Sequence, residues 1–136
     1  MPVTVSQLAI APVKGMRLQG TSEIRLGRHG VTGDREFLVI EEDGKLLLTS
    51  RAPAMLQVEP AWDRARDVLA LRFPDGNVVQ DTPEPGASAA TRMYDGREIP
   101  GWIIPGRSAP RCPATSAGPC TCSNARRSTS ATMTSP

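Results

Sequence analysis

Apolar and polar positions alternate in short runs over roughly the first hundred residues, and glycines, prolines and Asp-Gly pairs separate the runs. Runs of four to eight residues with period two are typical of β-strands. No window of a dozen residues has a clean helical period, and the pattern allows at most one helical turn, at 63–67. We predict an all-β fold at the strand spacing of a sandwich or a barrel. The predicted strands are 3–10, 21–26, 35–40, 45–49, 55–62, 68–73, 78–79, 92–94 and 99–104.

The clearest local signal is the Asp43-Gly44 pair between the runs 35–40 and 45–49. Asp-Gly between alternating runs predicts a tight hairpin with a type I′ turn, which needs positive φ at both central positions. The run 35–40 is the most apolar, which predicts a central strand. Pairing of the two runs would bring Arg35 and Arg51 to the same end of the sheet, away from the turn.

The last thirty residues have a different composition. From Arg107 to Pro136 the chain contains no Val, Ile, Leu, Phe, Tyr or Trp. Such a segment buries too little apolar surface to offset the ordering entropy of roughly 1–2 kcal/mol per residue. We therefore predict one β domain over 1–105 and a tail over 106–136 that is disordered or read in a shifted frame.

The abruptness of this change suggests the shifted frame. When the codons for Arg111 to Ala125 are regrouped by one base, they become compatible with a sequence of the type A-L-S-x-Y-L-G-R-P-V-H-L-L. That sequence would form an amphipathic helix, a glycine and a strand. We hypothesise a frameshift between Ile104 and Ser108, which would make the present chain truncated relative to a longer protein.

Composition excludes several function classes. There is no run of eighteen apolar residues and no signal-peptide pattern, so we expect no membrane association and a cytoplasmic location. The net charge is +2, but the segment from Arg107 holds four Arg and no acid, which leaves the β region slightly acidic and argues against nucleic acid binding. The three cysteines (Cys112, Cys120 and Cys122) lack a fourth ligand at metal spacing, so no metal ligand is predicted.

No catalytic residue is predicted, because His29 lies in a glycine-flanked loop and the β region contains no cysteine. The candidates for binding are cations. Lys14-Gly15 follows the first strand, where an ammonium and a backbone N–H can hold an anion, although an exposed turn lysine is the simpler interpretation. Arg35 either pairs with a neighbouring carboxylate or offers its donors to a phosphate. Arg51 follows two hydroxyl residues at the end of the next strand.

Together these blocks resemble the N-terminal β-barrel domain of MOSC proteins, the relatives of the C-terminal domain of molybdenum cofactor sulfurase. The resemblance covers residues 3–104, with its blocks in order, and implies a small β-barrel of short antiparallel strands. The blocks are Ile10-Ala11-Pro12-Val13-Lys14-Gly15, Gly30-Val31-Thr32-Gly33-Asp34-Arg35, Phe37-Leu38-Val39-Ile40, Asp43-Gly44 and Leu48-Thr49-Ser50-Arg51-Ala52-Pro53.

The resemblance implies that the barrel helps to bind the phosphate of the molybdenum cofactor (molybdopterin). Lys14 and Arg35 match the family residues near that phosphate, Arg51 matches the third block, and Gly15 stands where the family often has Ser. The implied parent is a reductase of N-hydroxylated compounds or a sulfur carrier.

The molybdenum-ligating Cys of the family lies in a MOSC domain beyond the barrel. The expected partners are therefore that missing C-terminal MOSC domain and, in full-length relatives, an electron-transfer protein. We expect no stably bound cofactor and no turnover by this chain alone. The alternative is a stand-alone β-barrel module that binds a small anion or a protein partner.

Overall fold

A computed structural model describes residues 1–104 and 121–123. The described elements are short strands and one 3₁₀ helix, which confirms the all-β prediction. They are β1 (Leu8–Ile10), β2 (Gln19–Thr21), β3 (Leu26–Gly27), β4 (Gly30–Val31), β5 (Leu38–Ile40), the 3₁₀ helix (Pro53–Gln57), β6 (Glu59–Asp63), β7 (Val68–Arg72), β8 (Val78–Asp81), β9 (Ser88–Arg92), β10 (Glu98–Trp102) and β11 (Thr121–Ser123).

All strand pairs within these sheets are antiparallel. β6, β7 and β8 form a three-stranded meander, and the other strands pair as β1–β2, β3–β4, β9–β10 and β5–β11. Isolated bridges link the small sheets at Val13–Phe37, Ile40–Leu46 and Lys45–Arg92. Over the described residues the strands have the short antiparallel form of the predicted barrel, but they do not close into one continuous sheet.

The strand β5 is buried at every residue, as its apolar run predicts, and it pairs with β11 in a two-stranded sheet with an isolated bridge to Leu46 on its other side. Its two faces pack into different clusters, because successive side chains of a strand point to opposite sides. Phe37 and Val39 join the main core, whereas Leu38 packs with Leu46 in a second cluster. The buried residues of the main core are Val13, Met16, Phe37, Val39, Leu47, Ala52, Met55, Val58, Trp62 and Leu71.

The hairpin at Asp43-Gly44 is present, but its turn is not type I′. The Glu41 N–H donates to the Lys45 carbonyl at 2.8 Å, and the Gly44 N–H donates to the Glu41 carbonyl at 2.9 Å. Gly44 has φ +79, whereas Asp43 does not have positive φ. This is the longer loop in which a type I turn precedes a left-handed glycine. The Asp43 Oδ1 favours it by accepting the Lys45 N–H at 3.1 Å.

The same turn recurs in the two later hairpins. Gly76 and Gly96 have φ +86 and +83, and each donates its N–H to the carbonyl three residues earlier. The preceding aspartate again accepts the N–H of the residue after the glycine, at 2.9 Å for Asp75 and 3.1 Å for Asp95. Each Asp-Gly pair therefore sets a hairpin through the aspartate side chain as well as through the glycine backbone.

Two predicted strands are partly replaced by other local structure. In the run 55–62, residues up to Gln57 belong to the 3₁₀ helix, which Pro53 begins and which buries Met55 in the core. In 21–26, the Thr21 hydroxyl donates to the Glu23 carbonyl and closes a turn. Tertiary burial and local side-chain hydrogen bonds outweighed the period-two pattern in both places.

Two further local predictions need correction. The first strand is shorter than predicted, because residues 3–7 are exposed and outside any strand. The segment 63–67 is the tight loop between β6 and β7, and not a helical turn. Asp63 Oδ1 accepts the N–H groups of Ala65 and Arg66 in that loop.

The predicted tail, 106–136, lies outside the described residues except for Thr121–Ser123, which pairs with β5 in the register 121 to 40 and 123 to 38. The division into a domain over 1–105 and a disordered or frameshifted tail therefore stays a prediction. In the described part of the chain, no helix is long and apolar enough to cross a membrane.

Candidate functional site

The segment that carries Lys14 lies beside the residues that lead into β5. The Phe37 N–H donates to the Pro12 carbonyl at 3.0 Å, and the Lys14 N–H donates to the Phe37 carbonyl at 2.9 Å. These bonds make a parallel bridge between Val13 and Phe37, and both side chains are buried in the main core. The core therefore fixes the backbone of Lys14.

Gly15 forms the corner of the turn that follows. The Met16 N–H donates to the Val13 carbonyl at 3.3 Å, and Gly15 has φ +85, as the third residue of a type II turn requires. A β-carbon on Gly15 would lie 2.9 Å from Thr49 Cγ2 and 3.3 Å from Met55 Cε. The turn is therefore packed against Thr49, two residues before the predicted site residue Arg51.

Lys14 is an available cation at this turn. The residue is half-buried, and no ion pair joins its ammonium group to a carboxylate of the described residues. Two other described cations, Arg28 and Arg72, also lack an ion pair, but both are exposed. Partly buried charges are normally paired, so a half-buried lysine residue with no described counter-ion is a candidate for binding an anion. The residue is thus less exposed than the simpler interpretation of a turn lysine assumes, and the anion site stays a prediction.

Two neutral hydrogen-bond donors belong to the turn that carries Lys14 and to the segment packed against it. The N–H of Gly15 has no acceptor among the described residues, and the hydroxyl group of Thr49 makes no described hydrogen bond. Thr49 is half-buried. Ammonium groups, backbone N–H groups and hydroxyl groups are donors that hold phosphate in proteins.

Arg35 lies next to the same segment but is already paired. Its N–H donates to the Ala11 carbonyl at 2.6 Å, and its Nη1 donates to Asp34 Oδ2 at 2.6 Å. Asp34 Oδ1 also accepts the Ala11 N–H at 2.8 Å. Of the two sequence interpretations, the ion pair with Asp34 is present. The side chain is 63% exposed, so its remaining N–H donors stay accessible.

The backbone at Arg35 has φ +50, in the left-handed region. A residue with a β-carbon pays about 1–2 kcal/mol for this conformation. Two hydrogen bonds with Ala11 hold the backbone of Arg35 in this conformation. The Arg35 N–H donates to the Ala11 carbonyl, and the Ala11 N–H donates to Asp34 Oδ1. The sequence pattern gave no sign of this conformation.

Arg51 is not beside Arg35. Its Nη1 lies 2.8 Å from Glu41 Oε1, at the turn end of β5, whereas Asp34 and Arg35 precede β5. The two arginines thus pair with carboxylates at opposite ends of the strand, and the prediction that the hairpin brings them together is wrong. The reason is that the strand pairing ends after Leu47 and the chain then turns. In this turn the Arg51 and Ala52 N–H groups both donate to the Leu48 carbonyl.

Residues 2–99 match the family described as the MOSC N-terminal beta barrel domain. The chain belongs to this family. The match confirms the resemblance given by the sequence blocks. Among curated proteins, none matches this chain.

The MOSC barrel domain contains one site residue that the sequence did not reveal. Glu36 Oε2 accepts the indole Nε1–H of Trp62 at 2.8 Å, and its Oε1 accepts the Gly33 N–H at 3.2 Å. Arg64 lies 3.4 Å from the same carboxylate, and the Trp62 ring packs edge-on against Phe37 at 4.9 Å. Glu36 thus anchors the segment that carries Asp34 and Arg35. Its partners come from distant positions, so no local pattern indicates the contact.

Metal ligation has no support in the described part of the barrel. No three His, Cys, Asp or Glu side chains cluster among the described residues. His29 is exposed in the loop between β3 and β4. The side chains of Cys112, Cys120 and Cys122 lie outside the described residues.

Proposed function

We propose that this chain is the N-terminal barrel of a MOSC-type molybdenum cofactor protein and that it contributes to binding the phosphate group of molybdopterin. The observation that carries the proposal is the half-buried residue Lys14, which has no described counter-ion and is followed by Gly15, whose N–H has no described acceptor. The parent activity proposed is reduction of N-hydroxylated compounds or sulfur transfer, with a MOSC domain and an electron-transfer protein as partners.

The residues present fit a phosphate group. A phosphate monoester is a dianion near neutral pH, and its oxygens accept several hydrogen bonds at once. Lys14 supplies a compact charge on a flexible stem, and Gly15 supplies a backbone donor whose direction the turn fixes. When bound, the cofactor would supply its redox chemistry at molybdenum, for which the described residues offer no cluster of ligands. The role of the barrel is to bind and orient.

The proposed ligands differ in how available they are. Lys14 has no described carboxylate to compete with an incoming anion. Arg35 is held by Asp34 through one nitrogen and is free to add a second contact. Arg51 is bound to both oxygens of Glu41, at 2.8 and 3.1 Å, so phosphate would have to displace that pair. We therefore rank Lys14 first, Arg35 second and Arg51 third.

The test is a titration of the purified chain with glycerol 3-phosphate, followed by ³¹P NMR. The chain has only two lysines, which gives a matched pair of variants. Lys14→Gln should weaken binding about tenfold or more, since a charge-assisted hydrogen bond contributes about 1.5–3 kcal/mol. Lys45→Gln should change it less than about twofold, because Lys45 is exposed and paired with Asp43. Equal affinities of the wild type and Lys14→Gln would refute the proposal.

A further inference from the structure

We infer that the Thr49 hydroxyl group is a phosphate-positioning donor of the Lys14 site, and that Gly15 is a glycine so that Thr49 can occupy this position. The inference rests on the proposed function and adds a residue and a reason for it. Thr49 lies thirty-four positions along the chain from Gly15, so only the fold brings the two together.

The first step is steric. A β-carbon on residue 15 would lie 2.9 Å from Thr49 Cγ2, a separation shorter than real β-carbons tolerate. The Thr49 side chain therefore fills the space that a side chain on residue 15 would need. Its hydroxyl group is attached to the same carbon as that methyl group, so it also lies close to the Gly15 corner. Threonine is stiff about this bond, which limits where the hydroxyl can point.

The second step concerns hydrogen bonding. Thr49 is half-buried, and its hydroxyl group has no described partner. Polar groups removed from water normally find a partner, and leaving one unsatisfied is costly. A phosphate oxygen held by Lys14 and the Gly15 N–H would satisfy this hydroxyl. Ser50 also carries a hydroxyl group, but it is exposed and water can satisfy it.

The competing explanation is that Thr49 is present for its methyl group, which packs against Gly15. The two explanations differ in which half of the side chain matters. Thr49→Val keeps the shape and removes the hydroxyl group, whereas Thr49→Ser keeps the hydroxyl group and removes the methyl group. Ser50→Ala removes the neighbouring exposed hydroxyl group and serves as the control.

The experiment titrates the full chain and each variant with inorganic phosphate and with glycerol 3-phosphate, followed by ³¹P NMR. We expect Thr49→Val to weaken binding about tenfold, which is the size of a lost hydrogen bond to a charged acceptor. Thr49→Ser and Ser50→Ala should stay within about twofold of the wild type. If Thr49→Val does not fold, Thr49→Ala against Thr49→Ser makes the same comparison without added bulk.

The outcomes separate the two proposals. If Lys14→Gln weakens binding but Thr49→Val and Thr49→Ala bind as the wild type does, the site is correct and the Thr49 inference is wrong. If Lys14→Gln also binds as the wild type does, both are wrong. A loss of binding in Thr49→Ser equal to that in Thr49→Ala would show that the methyl group matters, and it would overturn the inference.

Discussion

Gly15 and Thr49 pack so closely that a β-carbon on residue 15 would lie 2.9 Å from the Thr49 methyl group. The contact joins two turns that are far apart in sequence: the turn after β1 and the turn that ends the central hairpin. Both turns are anchored in the main core, the first through Val13 and the second through Ala52. The candidate anion site is therefore a junction between two parts of the barrel.

This junction predicts that Gly15→Ala is more destabilising than the same change at Gly44. Both glycines have positive φ, at +85 and +79, so both should lose about 1 kcal/mol through backbone strain. Nothing lies within 4 Å of a β-carbon on Gly44, whereas Gly15 is crowded by Thr49 and Met55. We expect Gly15→Ala to cost about 1 kcal/mol more, measured as free energy of unfolding in denaturant.

The additional loss of unfolding free energy in Gly15→Ala, compared with Gly44→Ala, should depend on Thr49. In a Thr49→Ala background, Gly15→Ala should cost about as much as Gly44→Ala, because the clashing methyl group is gone. An equal cost of Gly15→Ala in both backgrounds would contradict the contact.

The Asp-Gly turns predict a pH dependence of stability. The Lys45 ammonium group lowers the pKa of Asp43, and the Lys45 backbone N–H lowers it further. The pKa of Asp95 is lowered mainly by the Arg97 backbone N–H, and the Arg97 guanidinium adds to this effect. A pKa that is lower in the folded state stabilises the protein above the unfolded pKa, near 4, and this contribution is lost as pH falls through the folded pKa.

The direct measurement is a ¹³C NMR titration of the carboxyl carbons of Asp43 and Asp95. Both should titrate below the ordinary range for aspartate. In Lys45→Ala, the pKa of Asp43 should rise toward its ordinary value while that of Asp95 stays unchanged. A normal pKa at Asp43 in the wild type would contradict the turn geometry.

The Glu36 contacts predict that a small chemical change destabilises the barrel. Glu36 accepts hydrogen bonds on both oxygens, from Gly33 and from Trp62. Glu36→Gln replaces one acceptor with an NH₂ group that faces a donor, so we expect a loss of about 1–3 kcal/mol in the free energy of unfolding. Arg64→Gln removes only a half-exposed partner at 3.4 Å and should cost less than about 1 kcal/mol.

The indole N–H resonance of Trp62 provides an independent readout. The chemical shift of this resonance should change in Glu36→Gln and stay the same in Arg64→Gln. Equal and small effects of both substitutions would show that Glu36 does not anchor this segment.

The domain boundary predicts that residues 1–104 fold without the remainder. Every buried core residue in the described part lies within this range, and Ile104 itself packs against the main core. We expect the shortened chain to keep a cooperative thermal transition by circular dichroism. The amides of Leu38 and Ile40 should exchange faster with solvent, because their partners in β11 are removed. Loss of the transition would place part of the core beyond residue 104.

The sequence predicted elements whose signal is local. The three Asp-Gly hairpins and the buried run of β5 follow from turn chemistry and from continuous apolarity, and each is present. The turn type was missed because the rule for Asp-Gly pairs considers only backbone φ. It does not include the hydrogen bond by which the aspartate side chain favours the longer loop. The 3₁₀ helix was missed because its residues alternate like a strand.

The candidate site was predicted in part. Lys14 and Gly15 follow from a strand end and a turn, and the structure adds Thr49 beside them. Arg51 was misplaced because strand pairing was assumed to continue through residue 49, whereas the chain turns away after Leu47. Such a departure depends on packing against Met55 and Ala52, which no pattern in the strand itself reveals.

The most direct test of the account is an ¹H–¹⁵N NMR titration of the chain with inorganic phosphate, which follows the Gly15 amide. The account predicts a progressive downfield shift of this amide, with smaller shifts at Lys14 and Thr49. The Gly44 and Gly96 amides should not move, because these glycines also have positive φ but donate their N–H groups to backbone carbonyls. Loss of the Gly15 shift in Lys14→Gln would complete the confirmation. An unchanged Gly15 amide at saturating phosphate would contradict the proposed site.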